Sequence, residues 1–526
     1  MVRHHQREVD DQGNVTYTLT LWDDLKFSDG SPITAQDYVG SLLLLESPQT
    51  ATLKPMVNNG FAHLLGHEAY ATGQTVSWQG VRLLDDHRLA LTIDAAYLPY
   101  YYELSFIDLL PYPIKLLMPD NELISDADGL RFAQAIDSQA LESALFGPQG
   151  YVSHPTVSAG PYRLLSHDAL SVELRLELNP YFKGDHRGQR PNIARIRLME
   201  ARREQMIGSL RDGELDLINK LTWHEAIAHA RRLAGGKRLQ VQAYDRRGLA
   251  FISFENNQGP TASLRLRQAL AHLVNRPRII EEGLRSNGKP VYGYYGLAQA
   301  QALGQQDALR QLLHLYPLDM GKAEALLVAD GWAYDQAGKQ LRSARGQQRY
   351  RLDGDQLIPL TLTLGITRDN PVAQSVAQHM SAQLKRAGAQ LQVDELDAQQ
   401  LFAQYYRQEV REYDLLFLGS NLGMVFDPAA QILSLPGEAD QPQLGLFGLP
   451  DEQLMDLSLD MRRTQPHDSE SYGLKWQRFQ QCFVAQLPML PLYSNTYYDA
   501  FTMDLLDYHP EQHYSWAQAI LYARWR

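Results

Sequence analysis

Residues 360–418 read LTLTLGITRDNPVAQSVAQHMSAQLKRAGAQLQVDELDAQQLFAQYYRQEVREYDLLFL. Two periods alternate along this run. Residues 360–365 and 391–396 alternate polar and apolar, and 414–418 is a short apolar run, so all three are read as strands. Between them, 372–387 and 398–408 carry apolar residues at helical spacing. Strand, helix, strand, helix, strand is the signature of an α/β domain.

Working outward, the same domain gains a strand at 249–254, a helix at 264–274 that ends in NRPR, and a helix at 321–329. Both ends of the chain are β-rich instead. TYTLTL at 16–21 is a half-buried strand by its alternation. Ser28-Asp29-Gly30 is turn chemistry; Thr34 is a helix N-cap with Asp37 three residues later. Residues 60–71 look helical, and VRLLDDHRLALTID at 81–94 is a hairpin turning at Asp85-Asp86. Strands follow at 160–164, 172–178 and 193–198, then helix, turn and strand in GSLRDGELDLI. PMLPLYSN and YYDAFTM return to β near the C-terminus. β-rich ends around an α/β middle imply lobes that the chain crosses more than once.

Composition narrows the class. The chain has 526 residues, 44% hydrophobic and 21% charged, which suits a folded protein of about two to four domains and excludes a coiled coil, a collagen and a disordered chain. A net charge of −12 with no Lys/Arg block excludes a typical nucleic-acid or anionic-membrane binder. Tyr is over-used, 28 against 15 Phe and 7 Trp, and suits wet binding clefts. The single Cys482 makes no internal disulfide or cysteine zinc site; its apolar flanks indicate a buried thiol. No run of 18 apolar residues spans a membrane, and residues 1–22 lack a signal core.

No GxSxG, Walker A or strand-borne GxGxxG motif occurs. His63 and His67, four apart in HLLGH, have a metal-ligand spacing but lack a third ligand, so helix-surface histidines are expected. His4-His5 reads as a disordered end. Neither a metal nor a cofactor is expected.

Eight segments, in order, carry a resemblance. Residues 25–37, LKFSDGSPITAQD, resemble "kFsDGtplTAeDv". LLDDHRLALTI resembles a family hairpin, followed by the "PYFy.L"-like Pro99-Tyr100-Tyr101-Tyr102-Glu103-Leu104. Ala159-Gly160-Pro161-Tyr162 resembles "GtGPYk". Leu176-Glu177-Leu178-Asn179-Pro180-Tyr181-Phe182 resembles "leRNpdYw", and residues 210–216, LRDGELD, resemble "l.sGeiD". Gly259-Pro260 with Arg267-Gln268-Ala269-Leu270 and Asn275-Arg276 resembles "pPf.dvrvRqAl..aiDR"; residues 322–331 resemble "A..lLaeaGw". Together these are similar to the family 5 extracellular solute-binding proteins, the oligopeptide-, dipeptide- and nickel-binding subunits of ABC importers.

The resemblance implies a two-lobed periplasmic-binding-protein-like fold of type II with an extra small domain. It divides the chain into a small domain at 1–157, a discontinuous lobe I at 158–260 and 493–526, and lobe II at 261–492. It implies a monomer outside the cytoplasm, free or lipid-anchored, that delivers a peptide or peptide-like solute to permease subunits and does no covalent chemistry. It also implies a leader and further strands before residue 16. The strands from 160–178 and the C-terminal segment are then expected to leave an open edge, and a version extended upstream to be more stable. A cytoplasmic ligand-sensing regulator on the same fold is the alternative, although no helix-turn-helix precedes Tyr17; a hydrolase lacks its nucleophile motif.

The family's ligand loop maps to residues 419–428, GSNLGMVFDP. Asp427-Pro428 matches the family's acidic-Pro pair, while the position of the carboxylate that pairs a peptide's α-amine falls on Met424 or Gly423, which cannot pair an ammonium. Motif carry-over assigns ligand contacts to Phe61, to Phe251, Ser253 and Phe254 beside the hinge, to Ser420, Asn421 and Met424 in the loop, and to Tyr493 in the LPLY segment.

Overall fold

The computed structural model describes residues 1–50, 61–168, 172–431, 448, 452–511 and 515–526. The N-terminal part is a four-stranded antiparallel sheet in the order Val2–Val9, Val15–Leu21, Arg88–Ile93, Val81–Asp85. Alternation in Val15–Leu21 buries Val15, Tyr17, Leu19 and Leu21 on one face. Helix Ala35–Glu46 covers that face. The Thr34 amide donates to Asp37 Oδ2 at 2.8 Å, the link expected of a capping pair.

Two readings from this region need correction. His4 and His5 lie on strand Val2–Val9, paired with Thr20 and Leu19, not in a disordered end. His63 and His67 do not share a helix: Gly66 takes the left-handed conformation (φ +74°) between them, and helix is confined to His67–Ala71. Gly60 lies outside the described residues. His63 stacks on Phe106 with ring centroids 3.8 Å apart, and His67 pairs with Glu46 at 2.9 Å.

The central sheet runs Leu217–Leu221, Met489–Thr502, Gly248–Phe254, Leu415–Asn421, Thr361–Thr367, Gln390–Leu396, with Leu239–Asp245 and Gly288–Pro290 also paired to the long strand. Thr361–Thr367 is parallel to both of its neighbours. The helices Pro371–Ala387 and Ala398–Tyr405 between these strands supply the crossovers that parallel pairing demands. Gly248–Phe254 is buried at every residue, as befits a strand covered on both faces. PMLPLYSN and YYDAFTM fuse into one strand. Its first part pairs with Gly248–Phe254, and its later part with Leu239–Asp245 and Leu217–Leu221.

This makes the molecule two-lobed. One large apolar core gathers residues 249–493, and separate clusters hold the strands around 206–241 and the C-terminal residues 501–523. Among the described residues two connections run between the lobes side by side: the dipeptide Arg246-Arg247 between Leu239–Asp245 and Gly248–Phe254, and the middle of Met489–Thr502.

Of the open edges the sequence indicates, one is present: Tyr162–Asp168, within 160–178, pairs with a single described strand. In the three-stranded sheet Tyr162–Asp168, Glu173–Leu178, Arg195–Met199, the middle strand is paired on both sides, as is Met489–Thr502. Arg195–Met199 and Leu217–Leu221 each pair with a single described strand, across a cavity of about 500 Å³ that they line together. Cys482 is half-buried on helix Ser469–Gln486 against the large core.

Candidate functional site: the cleft between the lobes

At the C-terminal ends of Thr361–Thr367 and Leu415–Asn421 the sheet faces a cavity of about 700 Å³. Open α/β sheets bind ligands at this end, where strands stop and helices begin. The large lobe contributes Gly419, Arg368, Asp369 and the start of helix Pro371–Ala387. Asn370 caps that helix, its Oδ1 accepting from the amides of Val372 and Ala373 at 3.1 and 3.2 Å. Across the cavity the other lobe contributes Arg203, Trp223 and the start of helix His224–Gly235. The Arg203 guanidinium sits over the Trp223 ring, 4.4 Å from its centroid, a cation–π contact that holds both at the wall.

The floor is formed by the two connections. On Met489–Thr502 the alternate residues Tyr493, Asn495 and Tyr497 face the cavity, beside Ala250. Arg246 ties the floor together: its Nε donates to Asn421 Oδ1 at 2.7 Å and its Nη1 to Asn495 Oδ1 at 2.8 Å. Burial pushes the Tyr493 hydroxyl well above the usual tyrosine range, with the nearby Arg246 cation pulling it back; it is therefore a neutral hydroxyl on the floor.

The loop after Leu415–Asn421 leaves the cavity toward the N-terminal domain. Its Leu422 amide donates to the Arg247 carbonyl at 3.1 Å. Val425 packs on the N-terminal core. Asp427 is buried and accepts from Arg462 and from the Tyr100 hydroxyl. Met424, between these fixed points, is 71% exposed.

Of the residues singled out from the sequence, the structure brings Tyr493 and Asn421 together at the floor, with Ser420 beside them at the strand end. Phe251 and Phe254 are core residues, each 1% exposed, and Ala250 occupies the cavity-facing position of their strand. Ser253 is buried and engaged by Arg411, which donates to its Oγ at 3.0 Å and its carbonyl at 2.8 Å. Phe61 packs against the N-terminal core. Sequence reasoning missed Arg203, Trp223, Arg246 and Arg368. The signal available was positional: three are arginines within a few residues of a predicted strand end or turn.

A model of the bacterial extracellular solute-binding proteins, family 5, matches residues 7–442. The chain belongs to that family. This solute-binding protein is 23% identical over 444 residues to the nickel-binding periplasmic protein of Escherichia coli (strain K12), an alignment covering 83% of this chain and 70% of that one. It is 25% identical over 289 residues to the periplasmic oligopeptide-binding protein OppA of the same organism, covering 54% of this chain and about half (47%) of that relative. Its fold matches the oligopeptide-binding protein AppA of Bacillus subtilis, solved in complex with a nonapeptide, with a TM-score of 0.65 at 16% identity, covering 100% of this chain and 93% of that one.

Proposed function

We propose that this solute-binding protein is the extracytoplasmic subunit of an ABC importer, taking a peptide or peptide-like solute and handing it to membrane permease subunits. The observation that carries the reading is the pairing of a cavity of about 700 Å³ between two lobes with, among the described residues, two adjacent connections beneath it. Lobes joined that way close by a hinge around a ligand. The relatives named for nickel, oligopeptide and nonapeptide binding support a small solute as cargo. The division into a small domain at 1–157, lobe I at 158–260 and 493–526, and lobe II at 261–492 goes with this reading. So do a monomer, a location outside the cytoplasm with or without a lipid anchor, and the absence of a catalytic step.

Small-angle scattering of the protein with and without peptides it retains from a defined digest tests the reading. Closure reduces the radius of gyration and the maximum dimension. Unchanged dimensions with a peptide bound at micromolar affinity would overturn it.

A further inference from the structure

Where the N-terminal domain meets helix Ser469–Gln486, a smaller cavity of about 210 Å³ opens, with no lining residue in common with the cleft. By volume it has room for about seven water molecules or one sugar ring. Its frame is aromatic and fixed. Tyr101 from the N-terminal domain stacks on Tyr472 with ring centroids 3.8 Å apart, and the Tyr102 hydroxyl donates to the Tyr472 hydroxyl at 3.2 Å.

The polar groups on its wall are neutral and under-used. Trp476 is 1% exposed and lines the cavity, yet its Nε1 has no acceptor among the described residues. Among the same residues Gln305 and Gln477 make no side-chain hydrogen bond, and Gln301 engages only its Nε2, 3.4 Å from the Tyr102 hydroxyl. Gln299, two residues before Gln301, is buried with both amide atoms unpartnered. No charged side chain lines the cavity among the described residues.

Gly473 supplies the opening. It sits inside an 18-residue helix, and an added Cβ would meet nothing within 4 Å. Neither an unusual backbone conformation nor close packing calls for glycine there, and glycine weakens a helix interior. What it leaves is space on the cavity wall.

These features select a chemistry. An ion would be buried without a partner, which is costly. An apolar group would leave the indole N–H and the amides unpaired. A hydroxyl both donates and accepts, so it satisfies an indole N–H and a side-chain amide alike. An aromatic wall suits a ring with apolar C–H faces. We propose that this cavity binds one neutral sugar unit, held by Trp476 Nε1 and the amides of Gln301, Gln305 and Gln477. The site is separate from the cleft and does not depend on the importer reading.

The test follows the indole N–H resonances of the seven tryptophans in the whole isotope-labelled protein, during titration with glucose, N-acetylglucosamine and chitotriose. Titration to about 10 mM reads any Kd of about 1 mM or tighter. One indole resonance, the one missing from Trp476→Phe, should shift and saturate while the others stay in place. Gly473→Leu fills the opening and should abolish the shift with the melting temperature unchanged or raised; this comparison stands even where Trp476→Phe does not fold. Gln477→Ala should weaken binding several-fold. N-acetylglucosamine binding alone indicates a free sugar, and tighter chitotriose binding indicates the end of a glycan; either supports the proposal. No shift with any of these sugars, a shift that survives Gly473→Leu, or equal shifts with glucuronate, glucosamine or N-acetylalanine amide overturns it, and the cavity is then a place for water.

Discussion

Arg462 Nε lies 3.1 and 3.0 Å from the two carboxylate oxygens of Asp427. Asp427 also accepts from the Tyr100 hydroxyl at 3.2 Å. One carboxylate thus fixes the loop that follows strand Leu415–Asn421, the helix Glu452–Arg462 and the N-terminal domain relative to one another. Asp427→Asn should lower stability by about 2 kcal/mol, below the full cost of breaking a buried pair because Arg462 keeps some contact with water. Urea denaturation of Asp427→Asn and Arg462→Gln checks this, and each variant should lose a similar amount.

The residues that made the family visible turn out to be scaffold, which is why they were legible. Gly30 needs its positive φ of 91°. Asn179 Nδ2 donates to the Gly160 carbonyl at 2.9 Å and joins two of the matched motifs. Arg267 is buried and donates to the carbonyls of Thr261, Ala262, Gln486 and Leu487. Such residues answer to backbone geometry, which is local and repeats across a family. The α/β middle was legible for a related reason, since period and length identify each element between residues 360 and 421. Most of the cleft was not, because Arg203, Arg246 and Arg368 stand far apart in sequence and in no common pattern, while Tyr493 on its floor was reached through the LPLY segment. His63 misled because a spacing of four means one face only where a helix exists, and here helix begins only after Gly66.

The strand that follows the Arg246-Arg247 connection has a tight point at Gly248. A Cβ there would lie 2.1 Å from the Ser420 carbonyl oxygen and 2.6 Å from Arg246 Nε. Gly248→Ala therefore must shift backbone as well as the Arg246–Asn421 hydrogen bond. Overpacking of this kind costs about 1–3 kcal/mol. The variant should melt earlier and bind solute more weakly. Gly473→Ala, in helix Ser469–Gln486 with nothing within 4 Å of the new methyl, should instead leave stability unchanged or raise it by up to about 1 kcal/mol.

Tyrosine ionisation sets the alkaline limit. Burial, then the hydrogen bond to the Glu103 carboxylate at 2.6 Å, push Tyr17 up to about 12; burial does the same for Tyr151 and Tyr162. In the unfolded chain these groups ionise near 10. Folded stability from them is therefore complete below pH 10 and is lost as pH rises from 10 toward 12, because only the unfolded state gains charge there. Tyrosinate absorbance should rise in two steps, exposed rings first. The second step should coincide with loss of the near-ultraviolet circular dichroism. Buried rings that titrate without unfolding would contradict this.

The loop position where peptide-binding relatives are expected to place an acid carries Met424, exposed and uncharged, between Gly423 and Val425. Among the described residues the loop's own carboxylate, Asp427, is held by Arg462. Among the described residues, an ammonium docked at this loop would find no uncommitted carboxylate on it, and burying an unpaired charge is costly. A bound peptide should therefore lose little affinity on N-acetylation. Calorimetry on the same peptide, free and acetylated, should show a difference smaller than about 2 kcal/mol, the scale on which truncating one partner of a buried charge pair is felt. A larger loss would mean that an acid outside this loop holds the amine. Met424→Asp should then change the preference: with a carboxylate restored at the loop, the free amine should bind more tightly than its acetylated form, by up to about tenfold if the new pair is only half desolvated.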